Sequence, residues 1–232
     1  MSRSTEDSSG VWDAIAKSFD ETRKKPWKNC IDFIEKLPDN SVVADIGCGN
    51  GRHLIYCAEH CSKAIGVDFS INLLEIARKK MSKKRNVELV QANAVYLPFK
   101  DDSIDHILFI ATLHNIKDRG NRVKSLSEIK RVLKPNGTAL ISVWSRWQER
   151  FLLHFLKKMF SLKKEKEEEF GDINIMWKGD MLNLPRFYHL YSKGEFASDL
   201  KKAGLKIKKI YSIKIASKKL KDNHFAIVEK VN

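Results

Sequence analysis

The chain has 232 residues, and its 43 Lys and Arg against 29 Asp and Glu give it a net charge of +14. That length supports a full hydrophobic core in one domain, and no apolar run approaches the ~20 residues that would cross a bilayer. The first residues, Met1-Ser2-Arg3-Ser4-Thr5-Glu6-Asp7, are polar and lack a signal-peptide core, so a soluble cytoplasmic protein with no membrane partner is expected.

Residues 8–20 set Val11, Ile15 and Phe19 at i, i+4 and i+8, with Trp12 and Ala16 alongside, which is the period of an amphipathic helix. A loop holding Arg23, Pro26 and Trp27 leads to a second short helix through Leu37, so residues 1–40 read as a helical cap. From Val42 the sequence alternates. Strands are predicted near 42–46, 63–67, 87–91, 104–110 and 137–144, and helices near 51–61, 71–82 and 119–133. Such alternation implies parallel βαβ units. Pro135-Asn136-Gly137 stops one helix at Leu133 and opens the fifth strand. Residues 147–170 carry a helix-period apolar face through Phe151, Phe155 and Met159, then the charge run Lys163 to Glu169. The whole of 147–185 is expected as a helical insertion over the active-site edge. A helix over 192–203 ends before Gly204, and strands near 206–215 and 223–229 are expected to pair antiparallel at the sheet edge. There is no repeat and no linker. The expectation is one α/β domain over 1–232: a doubly wound, mostly parallel seven-stranded sheet with an antiparallel edge strand.

The chemistry is concentrated where strands end. Val42 to Ile46 is an apolar run containing Asp45, and it leads into Gly47-Cys48-Gly49-Asn50-Gly51. Glycines let backbone turn sharply and approach a ligand closely, and the next helix adds free N–H groups. The spacing is D-x-G-x-G-x-G, and the dinucleotide fingerprint G-x-G-x-x-G is absent. A second apolar run closes on Asp68, placed to accept from two ribose hydroxyls. A third leads to Asn93-Ala94, where a polar side chain ends the third strand. Acid-glycine loop, ribose acid and adenine-edge group, in this order, resemble the class I S-adenosylmethionine methyltransferases. The resemblance implies a Rossmann-like sheet and S-adenosyl-L-methionine as cofactor. It also puts Asp45, Gly47, Gly49, Gly51, Asp68, Asn93, Ala94 and Ala111 at the cofactor site. Asn93 departs from the family, which usually has Asp there.

Cys30, Cys48, Cys57 and Cys61 form no C-x-x-C pair. Cys57 and Cys61 with His53 and His60 invite a zinc reading, but their place on a helix packed against a sheet fits buried free thiols, so no metal is expected. Between Lys201 and Lys221 stand nine lysines and no acid, a field that attracts a polyanion.

Methyl transfer is an in-line displacement that depends on positioning. Candidate substrate groups fall in three stretches: Ile110 to Asn115, Thr22 to Trp27, and Leu184 to Tyr191. The W-D-x-I-A-x-x-F-x-x-T-R-x-K-P-W stretch from Trp12, the D-I-G-C-G-N-G loop, Leu97-Pro98-Phe99, Leu113-His114, the Arg122 to Gly137 passage, Val143-Trp144 and the R-F-Y-H-L-Y-x-x-G-E run together resemble the wobble-uridine tRNA methyltransferases, which esterify a carboxymethyl group on anticodon uridine. The resemblance covers nearly the whole chain, and T-R-x-K-P-W and R-F-Y-H are its specific pieces. Asn115 departs from it, since the family often has a second His there. It implies the tRNA anticodon loop as substrate, and His114, Arg23, Arg186, Tyr188 and His189 as the groups that orient the carboxylate and phosphates or stack on the base. It also implies a small zinc-binding activator pairing along the third strand, Val87 to Gln91. Trp27 and Trp144 read chiefly as core packing. Two other functions stay open: a small-molecule methyltransferase with a basic surface, and a non-catalytic RNA-binding adaptor of the same fold.

Overall fold

The computed structural model describes residues 10–160, 169–179 and 182–231. Residues 10–14 are helical, and after a break at Ile15 the helix resumes as α1 (Ala16–Thr22). Then follow α2 (Lys28–Ile34), β1 (Val42–Ile46), α3 (Leu54–His60), β2 (Lys63–Asp68), α4 (Ile71–Lys80), β3 (Val87–Gln91) and β4 (Ile104–Ile110). After a 3-10 turn at Leu113–Asn115 come α5 (Arg119–Val132), β5 (Leu133–Trp144), α6 (Glu149–Phe160), β6 (Asp172–Gly179), β7 (Leu182–His189), α7 (Lys193–Lys202), β8 (Lys206–Ile213) and β9 (Asn223–Glu229).

Seven strands form one sheet in the order β3-β2-β1-β4-β5-β9-β8. The five strands from β3 to β5 run parallel, and β9 runs antiparallel to both β5 and β8. The antiparallel strand is therefore one in from the edge. Alternate residues feed two cores. On β1, Val43 joins Leu54, Cys57 and Phe33 on one face, while Ala44 and Ile46 join Leu126, Ile129 and Phe196 on the other. The same split separates Leu108 from Phe109 on β4 and Leu140 from Ile141 on β5. Strands buried on both faces read as continuous apolar runs, which is why the sequence marked them so clearly. The strand order reverses between β1 and β4, and an open parallel sheet has its binding crevice at the carboxyl ends of the strands beside such a reversal.

The insertion departs from expectation. It holds helix α6, but also an antiparallel hairpin of β6 and β7 that stands apart from the main sheet. Ile175 and Trp177 are buried while Asn174, Met176 and Lys178 are exposed, a period of two that only a strand satisfies. The inward face pairs Ile175 with Arg186 and Ile173 with Tyr188, and packs on Phe151 and Phe155 of α6. The charge run from Lys163 lies outside the described residues up to position 168.

Candidate active site

A cavity of about 840 Å³ opens at the carboxyl ends of β1, β2 and β4. Its floor is the glycine loop. Gly47 has a φ of +72°, and a methyl group built there would overlap the Thr112 side chain, so only glycine fits. Gly47, Cys48, Gly49, Asn50, Asp68, Ala92, Asn93, Ala94 and Ala111 all line the cavity. Gly49 N–H donates to Asp68 Oδ2 (2.8 Å) and Ser70 N–H to Asp68 Oδ1 (2.9 Å), so the acid ending β2 braces the loop while it lines the cavity. Burial raises the Asp68 pKa to about 6 against those N–H donors. Asn93 uses Oδ1 to accept from Val95 N–H (3.0 Å). That oxygen keeps a second lone pair, so both it and the amide nitrogen can meet a ligand edge.

Two of the expected loop residues do not reach the cavity. Gly51 turns away, and a methyl there would lie 3.1 Å from Met81 Cε and 3.2 Å from Ala77 Cβ. Its φ of +76° and its packing on α4 explain the glycine without a ligand. Asp45 is buried beneath the loop with Oδ2 unpartnered among the described residues. Burial lifts its pKa to about 7, with Arg52 opposing and Asp68 adding to the rise.

Two elements close over this floor. From the N-terminal side, Trp12 and Phe19 line the cavity, so the apolar helix face predicted there covers the site. Asn50 Nδ2 donates to Asp20 Oδ1 (2.7 Å) and to the Arg23 carbonyl (2.8 Å), and Lys80 also pairs with Asp20. Asp13 Oδ1 accepts from Ser70 Oγ and Asn72 N–H at the start of α4. From the other side, the β6–β7 hairpin brings Arg186 and Tyr188 to the wall, and Trp177 Nε1 donates to Ser18 Oγ (3.0 Å) to join hairpin and α1.

Aromatic rings make the wall beside β4 and β5. Tyr188 and Trp144 stack with centroids 5.0 Å apart, and Tyr188 stacks on His114 at 5.5 Å. His114 Nδ1 accepts from Trp144 N–H (3.1 Å), so the ring hydrogen is on Nε2. Burial, then the His189 and Arg186 charges, lower its pKa to about 3. His114 is thus a fixed neutral donor and no base. Trp27 also lines the cavity, with the Arg52 guanidinium 4.9 Å from its ring centroid. Both tryptophans expected chiefly in the core therefore face the cavity as well.

The wall is cationic. Arg186 is 8% exposed, with its guanidinium 4.6 Å from the Trp177 centroid, 5.1 Å from Tyr188 and 5.6 Å from Trp12. Its Nε has no partner among the described residues, and no carboxylate pairs with it there. Burial lowers its pKa, Tyr188 offsets part of this, and the charges of Arg23 and Arg150 lower it further. Arg23 lines the cavity 5.7 Å from the Phe19 ring centroid. Arg52, which the sequence reading passed over, is also here, and burial followed by the Arg23 charge lowers its pKa to about 10. Its signal was its place directly after the glycine loop.

Orphaned polar atoms test whether the cavity suits a polar cofactor. Asn50 Oδ1, His53 Nε2, Asn115 Oδ1 and Arg186 Nε are buried without partners, and all four residues line the cavity. Buried polar groups are almost always paired in a working protein. A ligand with several hydrogen-bonding groups supplies what these atoms lack.

His189 is a correction. It lies outside the cavity wall, fully buried, with Nδ1 bonded to Asp172 (2.7 Å) and Nε2 to Glu195 (2.9 Å). Glu169, Asp172 and His189 also form the one cluster of metal-ligand type among the described residues. Its atoms are engaged with Arg119, Arg122 and Glu195, as an ion-pair network holding α5, the hairpin and α7 together. Cys57 and Cys61 are buried free thiols in the packing of α3.

Comparison with known proteins completes the description. Residues 44–141 match the family described as a methyltransferase domain. The chain is 36% identical over 167 residues to the tRNA (carboxymethyluridine(34)-5-O)-methyltransferase ALKBH8 of Macaca fascicularis, covering 71% of this chain and 24% of that protein. It is 36% identical over 176 residues to the Arabidopsis thaliana protein of the same activity name, covering 76% of this chain and 40% of the relative. The Schizosaccharomyces pombe protein of that name is 28% identical over 212 residues, covering 84% and 86%. The chain thus spans about a quarter of the length of the ALKBH8 relative and less than half of the plant one. Among solved structures, a SAM-dependent methyltransferase from Methanosarcina mazei shares the fold at a TM-score of 0.74 and 18% identity, covering 89% of this chain and 99% of that one. A chain of the complex between the Haloferax volcanii Trm112 methyltransferase activator and its methyltransferase matches at 0.68 and 18%, covering 95% and 98%.

Proposed function

We propose that this chain, whose residues 44–141 match a methyltransferase domain, transfers a methyl group from S-adenosyl-L-methionine to a carboxymethyl group on the wobble uridine of tRNA. The observation that carries this reading is Arg186. A buried guanidinium with a free Nε and no acid partner among the described residues, caged by three aromatic rings at the cavity wall, fits a carboxylate arriving from outside.

The cofactor supplies an electrophilic methyl group on a sulfonium. Asp68 would hold the ribose hydroxyls, the Asn93 amide and the Ala94 backbone the adenine edge, and Gly47, Gly49 and Ala111 the remaining backbone contacts. Asp45 acts from below the loop, as a charge partner of Arg52. A carboxylate substrate is already ionised at neutral pH, so no general base is required, in keeping with the low pKa of His114. His114 Nε2–H donates to the acceptor and fixes its direction. Arg186 and Arg23 orient the carboxylate and adjoining phosphates, and Tyr188 and Trp144 offer stacked faces to an extruded base. Closure by α1 and the hairpin excludes water, which strengthens each of these charge interactions.

A protein partner belongs to the same proposal. Strand β3 closes one end of the sheet, with Val87, Leu89 and Val90 half-buried, and the structural neighbour from Haloferax volcanii was solved with an activator. A small zinc-binding activator adding a strand to this edge fits both facts. A single domain acting in the cytoplasm, with the 1–40 segment and the 147–185 insertion as lids, is the arrangement proposed for the chain.

The test is tritiated methyl transfer to tRNA bearing carboxymethyluridine and to the same tRNA unmodified, with and without an activator. Label on the modified tRNA alone, released by mild base as an ester would be, is the expected result. Label on a metabolite pool with none on tRNA would favour the small-molecule reading. Absence of any cofactor binding by calorimetry would favour a non-catalytic adaptor.

A further inference from the structure

The segment between β8 and β9 is rich in lysine, and its backbone is tethered by side-chain carboxylates. It reads Lys214-Ile215-Ala216-Ser217-Lys218-Lys219-Leu220-Lys221, and all four lysines are exposed. Two carboxylates hold its backbone. Asp222 accepts from Ile215 N–H (2.7 Å), Ala216 N–H (2.7 Å) and Ser217 N–H (2.8 Å). Glu149, in the first turn of α6, accepts from Lys218 N–H (3.0 Å), Lys219 N–H and Leu220 N–H (3.1 Å). Six consecutive amides are therefore committed to two side chains from different elements. A merely solvated loop needs no such bracing. Bracing lowers the entropy lost when a partner binds.

Both carboxylates hold backbone amides and keep their own negative charge, and Lys219 is near enough to Glu149 to help lower its pKa. Lys206 and Lys208 of β8 pair with Glu229, but Lys214, Lys218, Lys219 and Lys221 form no salt bridge among the described residues. The loop thus presents four exposed ammonium ions around the two carboxylates that brace its backbone, and the cations outnumber the anions.

Its place in the fold connects it to the cavity. Trp144, Asn223 and Ile213 form one rung across β5, β9 and β8. Trp144 lines the cavity. The loop springs from the other end of that rung, two strand spacings or about 10 Å away on the same end of the sheet. Ser145 N–H also donates to the Asp222 carbonyl (2.9 Å), tying the cavity wall directly to the loop. Arg150, exposed, follows Glu149 at the start of α6, and its charge contributes to lowering the Arg186 pKa.

We propose that the 214–221 loop is a phosphate-backbone platform that grips the RNA strand flanking the nucleotide held in the cavity. This rests on the tRNA reading above and deepens it: the cavity recognises the modified base, and the loop contributes affinity independent of sequence. Point charges on flexible stems suit phosphates along a strand, since they tolerate variation in strand path.

The experiment is a triple charge reversal, K218E/K219E/K221E, in the full chain with its activator. Binding of the unmodified tRNA transcript is followed against salt, alongside methyl transfer to modified tRNA and to the free carboxymethyl nucleoside. Removing about three phosphate contacts should lower the slope of log K against log salt by about two to three and raise Kd at least tenfold near physiological salt. Cofactor affinity and turnover of the free nucleoside should not change, which separates the effect from misfolding. A second variant, Glu149→Gln, keeps every lysine but weakens the brace. It should raise the tRNA Kd by a smaller factor and leave the salt slope as it was. An unchanged salt slope and Kd in the triple variant, with wild type active on tRNA, overturns the platform while leaving the proposed function standing. A wild type that neither binds nor methylates tRNA overturns both, and points the loop toward an acidic protein partner.

Discussion

Two neighbouring side chains with opposite environments decide what the site does. Arg186 is a cation held in aromatic rings with no acid partner among the described residues. Arg186→Ala should reduce kcat/KM on tRNA roughly a hundredfold, equivalent to the ~3 kcal/mol of a charge-assisted contact, with cofactor Kd unchanged in calorimetry. Arg186→Lys should not restore activity, because an ammonium loses both the planar stacking and the paired donors. His114 is the neutral counterpart, and it differs from His189 in the sign of its pH effect. For His189, burial lowers the pKa, but the hydrogen bonds with Asp172 and Glu195 outweigh that, so it is raised above the ordinary value. Its protonated form then stabilises the native state fully below about pH 6.5, and the contribution fades as pH rises through the folded value. For His114 the folded pKa of about 3 lies below the unfolded one, so stability is lost as pH falls from about 6.5 toward 3. Urea melts should show His189→Gln more destabilised relative to wild type near about pH 6 than near about pH 8.5. Equal loss at both would mean that His189 is neutral in the native state. The residue types were legible beforehand, but the roles were not. H-L in R-F-Y-H-L looks the same whether the ring faces a ligand or two carboxylates, and strand register made the choice.

At the scale of elements, the helices and strands of the main sheet follow from their apolar periods, whereas the two lids required the assembled fold. The capping box at α7 is of the first kind: Ser192 Oγ accepts from Glu195 N–H (3.2 Å) and the Glu195 carboxylate returns to Ser192 N–H. Ser192→Ala should cost about 1 kcal/mol in a denaturant melt. The hairpin is of the second kind. Gly179-Asp180 lies between alternating apolar residues, and Pro185 within the run is disfavoured in a paired strand. Standing apart from the main sheet, β7 tolerates it. The N-terminal helix follows from its period, and the assembled fold sets its apolar residues Trp12 and Phe19 against the cavity. Asp20 secures it to Asn50 of the glycine loop and to Lys80 of α4. Asp20→Ala should weaken cofactor binding several-fold in calorimetry, by releasing both helix and loop, while the melting temperature moves by only a few degrees. Unaltered cofactor affinity would show that α1 is not a lid.

For the whole molecule, the order β3-β2-β1-β4-β5 places every parallel strand's carboxyl end on one side, and the reversal between β1 and β4 opens the crevice there. The charge of +14 takes on a direction only in the folded chain. Lys206 and Lys208 share a single carboxylate, Glu229, and the lysines of the 214–221 loop are held beyond the same rung that carries Trp144. Raised ionic strength should therefore weaken tRNA binding steeply, and cofactor binding little. The sequence by itself determined the alternation of strand and helix, the glycine loop, Asp68 at the end of β2 and the basic balance. These are local facts, set by side-chain period and backbone freedom within a few residues. Only the tertiary structure decided that Gly51 serves helix packing, that His189 belongs to a buried ion network, that Arg52 joins the wall, and that a hairpin delivers Arg186 and Tyr188. Each of those depends on which distant segment supplies the neighbour, and contact between distant segments is fixed by burial of the two cores together.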